Sequence, residues 1–190
     1  MIPAGYLLKR VVAPPEYLAD AQLTEVCSVA DCVNDDVVDV QEAWEHNGFG
    51  VANDAAQLWR MAAEAGADVE AATLFYYEVY EQEIESDGWS FDPAEWRPLT
   101  YLDHGQKTSV TPPSEATVFG FDVVVFENSL DHSPLSCNHI AAQADVNQHC
   151  LFETLESAKS AIDAGIFGGG CEPGVYRIFS VAVVAANAGR

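Results

Sequence analysis

The chain reads as a single α+β domain spanning residues 1–190, a mixed sheet of five or six strands with about four helices packed on it. Three observations carry that expectation. Strand-like runs and helical periodicities follow one another in mixed order. Residues 73–84 are dense in aromatic and branched side chains (Leu74, Phe75, Tyr76, Tyr77, Val79, Tyr80), the composition of a strand. And 190 residues is the length of one domain, able to bury roughly 70% of its unfolded surface.

Taken in order, 6–12 is apolar and β-prone, and Pro14-Pro15 ends it because proline removes a ladder donor. Residues 23–29 read as a second short strand. Asn34 or Asp35 can cap a helix reaching about His46, closed by Asn47-Gly48. At about 100° per residue, Val37, Val40 and Trp44 share one side of that helix, while Asp35, Asp39 and Glu42 gather on the other. A second helix is predicted over 54–65, capped by Asn53 or Asp54. Ala55, Leu58, Trp59 and Ala62 form its apolar stripe, and Gly66 stops it. After the strand at 73–84, residues 86–113 are loop-like, with Trp89, Phe91 and Trp96 among Asp, Pro and Gly. A buried strand is expected at 121–126, a short helix at 136–144, a longer one at 154–164 stopped by Gly165, and a final strand at 175–184. No internal repeat is read in the sequence.

Thirty acidic side chains against eight basic ones leave a net charge of −22. That balance argues against nucleic-acid binding, which relies on Lys and Arg to displace counterions, and against docking on an anionic membrane. No apolar run approaches the roughly 20 residues of a membrane span. Lys9 and Arg10 follow the first apolar residues, the reverse of a secretory signal, so a cytoplasmic protein is expected. Five cysteines (27, 32, 137, 150 and 171), odd in number and irregularly spaced, fit reduced thiols.

The acidity is concentrated. Residues 11–96 hold twenty acids against one base, Arg60. Such an excess exceeds what solubility needs and implies a basic surface that meets it, with charge steering the encounter. The expected partner is a basic protein. The residues expected at its contact are Asp35, Asp39 and Glu42, then Glu81, Glu83, Glu85 and Asp87, with Trp89 as an aromatic anchor. No cofactor and no metal are expected.

The densest group of reactive side chains is 131–139 followed by 147–150. Cys137, His139, His149 and Cys150 are candidates for a thiol nucleophile with a histidine base, the arrangement of a hydrolase or transferase. The same four offer zinc-type ligands, although their spacing matches no common structural zinc pattern. The plainer alternative is a turn and helix cap built by Ser133, Ser136 and Asn138. The glycines of 165–170 follow a helix and lack a lysine, so they do not form a phosphate-cradling loop. Asp31, Asp35, Asp36 and Asp39 depart from the calcium-loop spacing.

Six stretches carry a resemblance: MIPAGY at 1–6, His46-Asn47-Gly48, LFYYEVYE at 74–81, SPLSCN at 133–138, VNQHCL at 146–151 and GVYRIF at 174–179. Through them the chain resembles a group of uncharacterised bacterial cytosolic proteins. In general character that group is similar to the small acidic immunity proteins that accompany secreted toxins. The resemblance implies a non-enzymatic antitoxin that occludes the active site of a basic toxin, and it carries over no catalytic residue. A DNA-mimicking inhibitor would share the same acidic surface.

Overall fold

The computed structural model describes residues 1–43, 46–86, 95–100, 109–126 and 132–185. Strands β1 (Ile2–Arg10), β2 (Ala72–Ser86), β4 (Ala116–Phe126) and β5 (Gly174–Val184) form a sheet in the order β1-β2-β5-β4, and the two-residue β3 (Arg97–Pro98) pairs with β2. The class is α+β, and every described pairing is antiparallel, so the sheet is not mixed. Two helices have substantial length, α1 (Ala55–Ala65) and α3 (Leu155–Asp163). A single turn, α2 (Pro134–Cys137), precedes a 3-10 turn at Ile140–Ala142, and a second 3-10 turn spans Glu16–Ala21.

The sheet contains a repeat that the sequence analysis does not detect. Gly5 on β1 faces Tyr77 on β2, and Gly120 on β4 faces Val181 on β5. In each outer strand one residue is then skipped, Ala4 in β1 and Phe119 in β4, before pairing resumes at Pro3 with Glu78 and at Val118 with Ala182. Both outer strands thus carry the same bulge at the same register. In the centre, Tyr77 pairs directly with Val181, flanked by Phe75 with Val183 and Val79 with Phe179. A pseudo-two-fold axis therefore passes between Tyr77 and Val181.

The connections repeat as well. The Asn47 side chain donates to the carbonyl of the bulge residue Ala4 at 2.7 Å and accepts from the Phe49 amide at 2.8 Å. Asn147 donates to the Phe119 carbonyl at 2.7 Å and accepts from the His149 amide at 2.9 Å. Three residues after each asparagine the backbone turns left-handed, at Gly50 and at Cys150. Next, Ala52 bridges Tyr6 and Phe152 bridges Phe121. Asp54 and Thr154 then cap α1 and α3 through the amides of Gln57 and Ser157. Helix residues Leu58, Met61 and Ala62 are buried in one half, and Ala158, Ala161 and Ile162 in the other. Gly5 and Gly120 are needed because the capping loop presses on the strand: a Cβ would lie 2.3 Å from the Ala52 oxygen and 2.6 Å from the Phe152 oxygen, at φ of +144° and +151°.

One segment breaks the symmetry. Residues 27–30 are buried and run between the two outer strands. The Val29 amide donates to the Asp122 carboxylate on β4 at 2.9 Å, and the Val29 carbonyl accepts from the Lys9 ammonium on β1 at 3.1 Å. The strap pairs as β-structure at one isolated point, Val26 with Val12, so 23–29 is not a strand.

The helix expected over 35–46 does not form either. Its first residues add to the edge of β1 instead: Arg10 donates its amide to the Asp35 carbonyl at 3.0 Å, and Val37 donates to Leu8 at 2.7 Å. Edge pairing satisfies these backbone groups and suits the branched Val37, Val38 and Val40. Asp39 then caps one turn, accepting from the amides of Gln41 and Glu42. Trp44 and Glu45 lie outside the described residues. The helix expected at 136–144 is split in two, because His139 sits at φ 66° between α2 and the following 3-10 turn. The helices at 54–65 and 154–164 and the strands at 73–84 and 175–184 are found close to their expected bounds, whereas the strand expected at 121–126 starts earlier, at Ala116.

Candidate functional site

The acidic residues expected at a partner contact separate into distinct environments. Asp35, Asp39 and Glu42 are exposed in the segment that runs from the edge of β1 into the turn capped by Asp39. Asp36 is different. Its carboxylate holds the fully buried Lys9 ammonium at 2.5 Å, and burial raises its pKa against the pull of that cation. Glu81 and Glu85 are exposed on β2, Glu81 near the N-terminal amine and Glu85 paired with Arg97 at 2.7 Å. Glu83 is a correction to the sequence analysis. It is fully buried, bonded to Arg177 at 2.9 Å and Arg97 at 3.2 Å, and its carboxylate also accepts from the Thr100 hydroxyl. It is a structural counter-ion and cannot touch a partner, because Arg97, Thr100 and Arg177 cover it. Strand alternation puts 81, 83 and 85 on one face but does not reveal what lies above that face. Asp87 and Trp89 lie outside the described residues.

Two grooves border the C-terminal half of α1. One, of about 450 Å³, has Val37, Val38 and Met61 as its apolar lining, and Asp39, Glu42 and Glu64 also line it. The other, of about 820 Å³, is lined by Trp59, Ala62 and Val69 together with Asp68 and Glu70. Each combines an apolar surface with carboxylates, and the described lining of both contains no basic side chain. Asp39 and Glu42 therefore belong to a groove whose other wall, Met61 and Glu64, comes from a different element. Periodicity alone could not have placed those residues together.

The reactive side chains at 137–150 go to different partners. Cys137, at the end of α2, forms a disulfide with Cys32, with Cα atoms 6.1 Å apart. The expectation that all five thiols are reduced is thereby corrected: residues 105 positions apart meet because the 26–40 segment crosses to the second half. His139 is exposed, its ring edge-on to Tyr17 at 6.3 Å. His149 stacks on Phe119 at 4.2 Å and meets Glu25 at 2.8 Å, and Glu25 also lies 3.8 Å from the Cys27 sulfur. Cys150 is buried, and that burial together with the Asp122 charge pushes its thiol up to about 12. Burial raises Cys27 further, reinforced by Glu25, and Cys171 is pushed up to about 11. An activated nucleophile needs the opposite shift. Sequence reading placed His132 in the 131–139 group but missed Glu25, Cys27, Cys32 and Glu172 as members of these clusters. Long-range contacts of this kind leave no local signal.

Among the described residues, no helix is long and apolar enough to cross a membrane. No family model, curated protein or solved structure matches the chain.

Proposed function

We propose that this chain is a non-enzymatic, acidic binding protein that neutralises a basic protein, in the manner of a cytoplasmic immunity protein covering a toxin's active site. The observation that carries the reading is the groove beside α1, where Asp39, Glu42 and Glu64 join the apolar Val37, Val38 and Met61. Stable interfaces combine an apolar centre with a polar rim, and rim charges of one sign steer a partner of the other. The excess of twenty acids over one base in residues 11–96 extends that field well beyond the groove. Buried thiols with raised pKa values weigh against the thiol-enzyme alternative.

The test uses immobilised wild-type chain and the double variant Asp39→Lys/Glu42→Lys in the host lysate, at low and moderate salt. A basic protein held by wild type, weakened by salt and lost from the double variant supports the reading. Equal retention by both chains removes this groove from the interface. Displacement of the same protein by duplex DNA would instead make the chain a DNA mimic.

A further inference from the structure

We propose that Cys32, Cys137 and His132, with Glu172 as the fourth ligand, form a site for zinc or a similar thiophilic divalent cation when the Cys32–Cys137 bond is reduced. The two sulfurs and an imidazole nitrogen of His132 all lie within 4.8 Å of one another. Zinc bonds of 2.0–2.3 Å in a tetrahedron give ligand–ligand edges of roughly 3.3–3.8 Å, so the two sulfurs part to that spacing once their bond is reduced, and the imidazole closes on them. Glu172 lies outside that group of three but beside its imidazole. His132 Nε2 and Glu172 Oε2 face each other at 3.4 Å, both atoms are buried, and neither makes a hydrogen bond in the described structure. Two buried lone-pair atoms facing each other are costly unless a proton or a cation lies between them.

The ligands are held by separate elements, and each is braced. The His132 backbone pairs with Val125 on β4, accepting its amide proton at 2.8 Å. Asn138 donates to Glu172 Oε1 at 3.4 Å, which leaves Oε2 turned to His132, and Tyr176 donates to the Glu172 carbonyl at 2.6 Å. Such outer contacts orient the ligands of metal sites. Cys32 is exposed and gives the ion access from solvent. The other sulfur cluster is less suited. There the Cys27 thiol is buried and Glu25 is already engaged with His149.

The chemistry balances in two steps. Two molecules of a low-molecular-weight thiol reduce the disulfide, forming their own disulfide and leaving two protein thiols. Zinc then displaces both thiol protons into solvent and is bound by the two thiolates, the neutral imidazole and the carboxylate. A covalent link and a metal link therefore hold the same two segments together, one in oxidising and one in reducing surroundings.

The experiment titrates cobalt(II) into the full chain, reduced with a phosphine that is then removed. The expected result is one cobalt per chain, with near-ultraviolet thiolate-to-cobalt charge transfer and intense visible bands of tetrahedral geometry, both abolished by zinc. Cys32→Ser, at an exposed position, should keep the native circular dichroism and lose most of the charge-transfer band. His132→Ala should weaken binding at least about tenfold. Absence of the charge-transfer band in the reduced wild type, or a band untouched by Cys32→Ser, overturns the site. Visible bands unchanged in Glu172→Gln overturn the assignment of the fourth ligand.

Discussion

The two halves of the sheet share a scaffold and differ in what they bury. β1 and β4 carry the same bulge, the same asparagine latch from the following loop, and the same glycine beneath it. Yet Leu7 in one half stands where Asp122 stands in the other, and Lys9 where Val124 stands, as their matched register shows. The strap explains the difference. A segment lying across a two-fold axis can come from only one half, so the residues beneath it cannot be equivalent. In this chain the strap belongs to the first half. Its Val29 peptide offers an N–H to one side and a C=O to the other, so one outer strand supplies an anion and the other a cation. The lesson is that duplication preserves whatever fixes the backbone, while the asymmetric cover decides which buried side chains are polar.

The glycines test the shared part. Gly5→Ala forces a Cβ to 2.3 Å from the Ala52 oxygen at an unfavourable φ, and should cost about 4 kcal/mol or more. Gly120→Ala, with 2.6 Å to its matching oxygen, should cost less. Denaturant midpoints compare the two, and a tolerated Gly5→Ala would undo the equivalence of the halves. Lys9→Ala tests the strap. It leaves Asp36 and the Val29 carbonyl without their cation and should destabilise by about 3 kcal/mol, read by the same unfolding curves.

A pH profile sharpens the contrast between Leu7 and Asp122. Burial raises Asp122 to about 6, outweighing the bonds it accepts from Val29, Ser28 and Ser133, whereas an unfolded aspartate titrates near about 4. The folded chain therefore binds the additional proton between these values. This contribution is fully present below about 4 and is lost as pH rises through about 6. Wild type should gain on the order of 2 kcal/mol relative to Asp122→Asn between neutral pH and about pH 4. Parallel profiles for the two proteins would show that folding leaves the Asp122 titration unshifted. The smallest effect on stability belongs to Asp39→Lys/Glu42→Lys. Both sites are exposed, but Asp39 caps its turn, so the change should cost about 1 kcal/mol while partner association slows.

Elements governed by local rules were legible in the sequence. α1 lies between its Asp54 cap and Gly66, and β2 is announced by its aromatic run. The repeat was not legible, because of the eight positions 47–54 and 147–154 only the asparagine is the same. What the halves share is a left-handed turn, a side-chain amide and a cap, and these properties are met by Gly or Cys, and by Asp or Thr. The 35–46 segment misled because an amphipathic pattern is equally served by pairing with a sheet edge. The acidic site was half legible: charge marked Asp39 and Glu42, but their groove needs Met61 and Glu64 from α1. Glu83 followed the same acidic pattern into the wrong environment, since three neighbours supplied by the fold enclose it.

The axis between Tyr77 and Val181 bears on the molecularity of folding. β2 and β5 each turn a long edge toward the other, so either half alone would expose a row of unpaired backbone groups and seek a partner. The covalent connection from β2 to β4 makes that encounter intramolecular. Cut there, with the Cys32–Cys137 bond reduced, the molecule would become a heterodimer of half-chains whose stability depends on protein concentration.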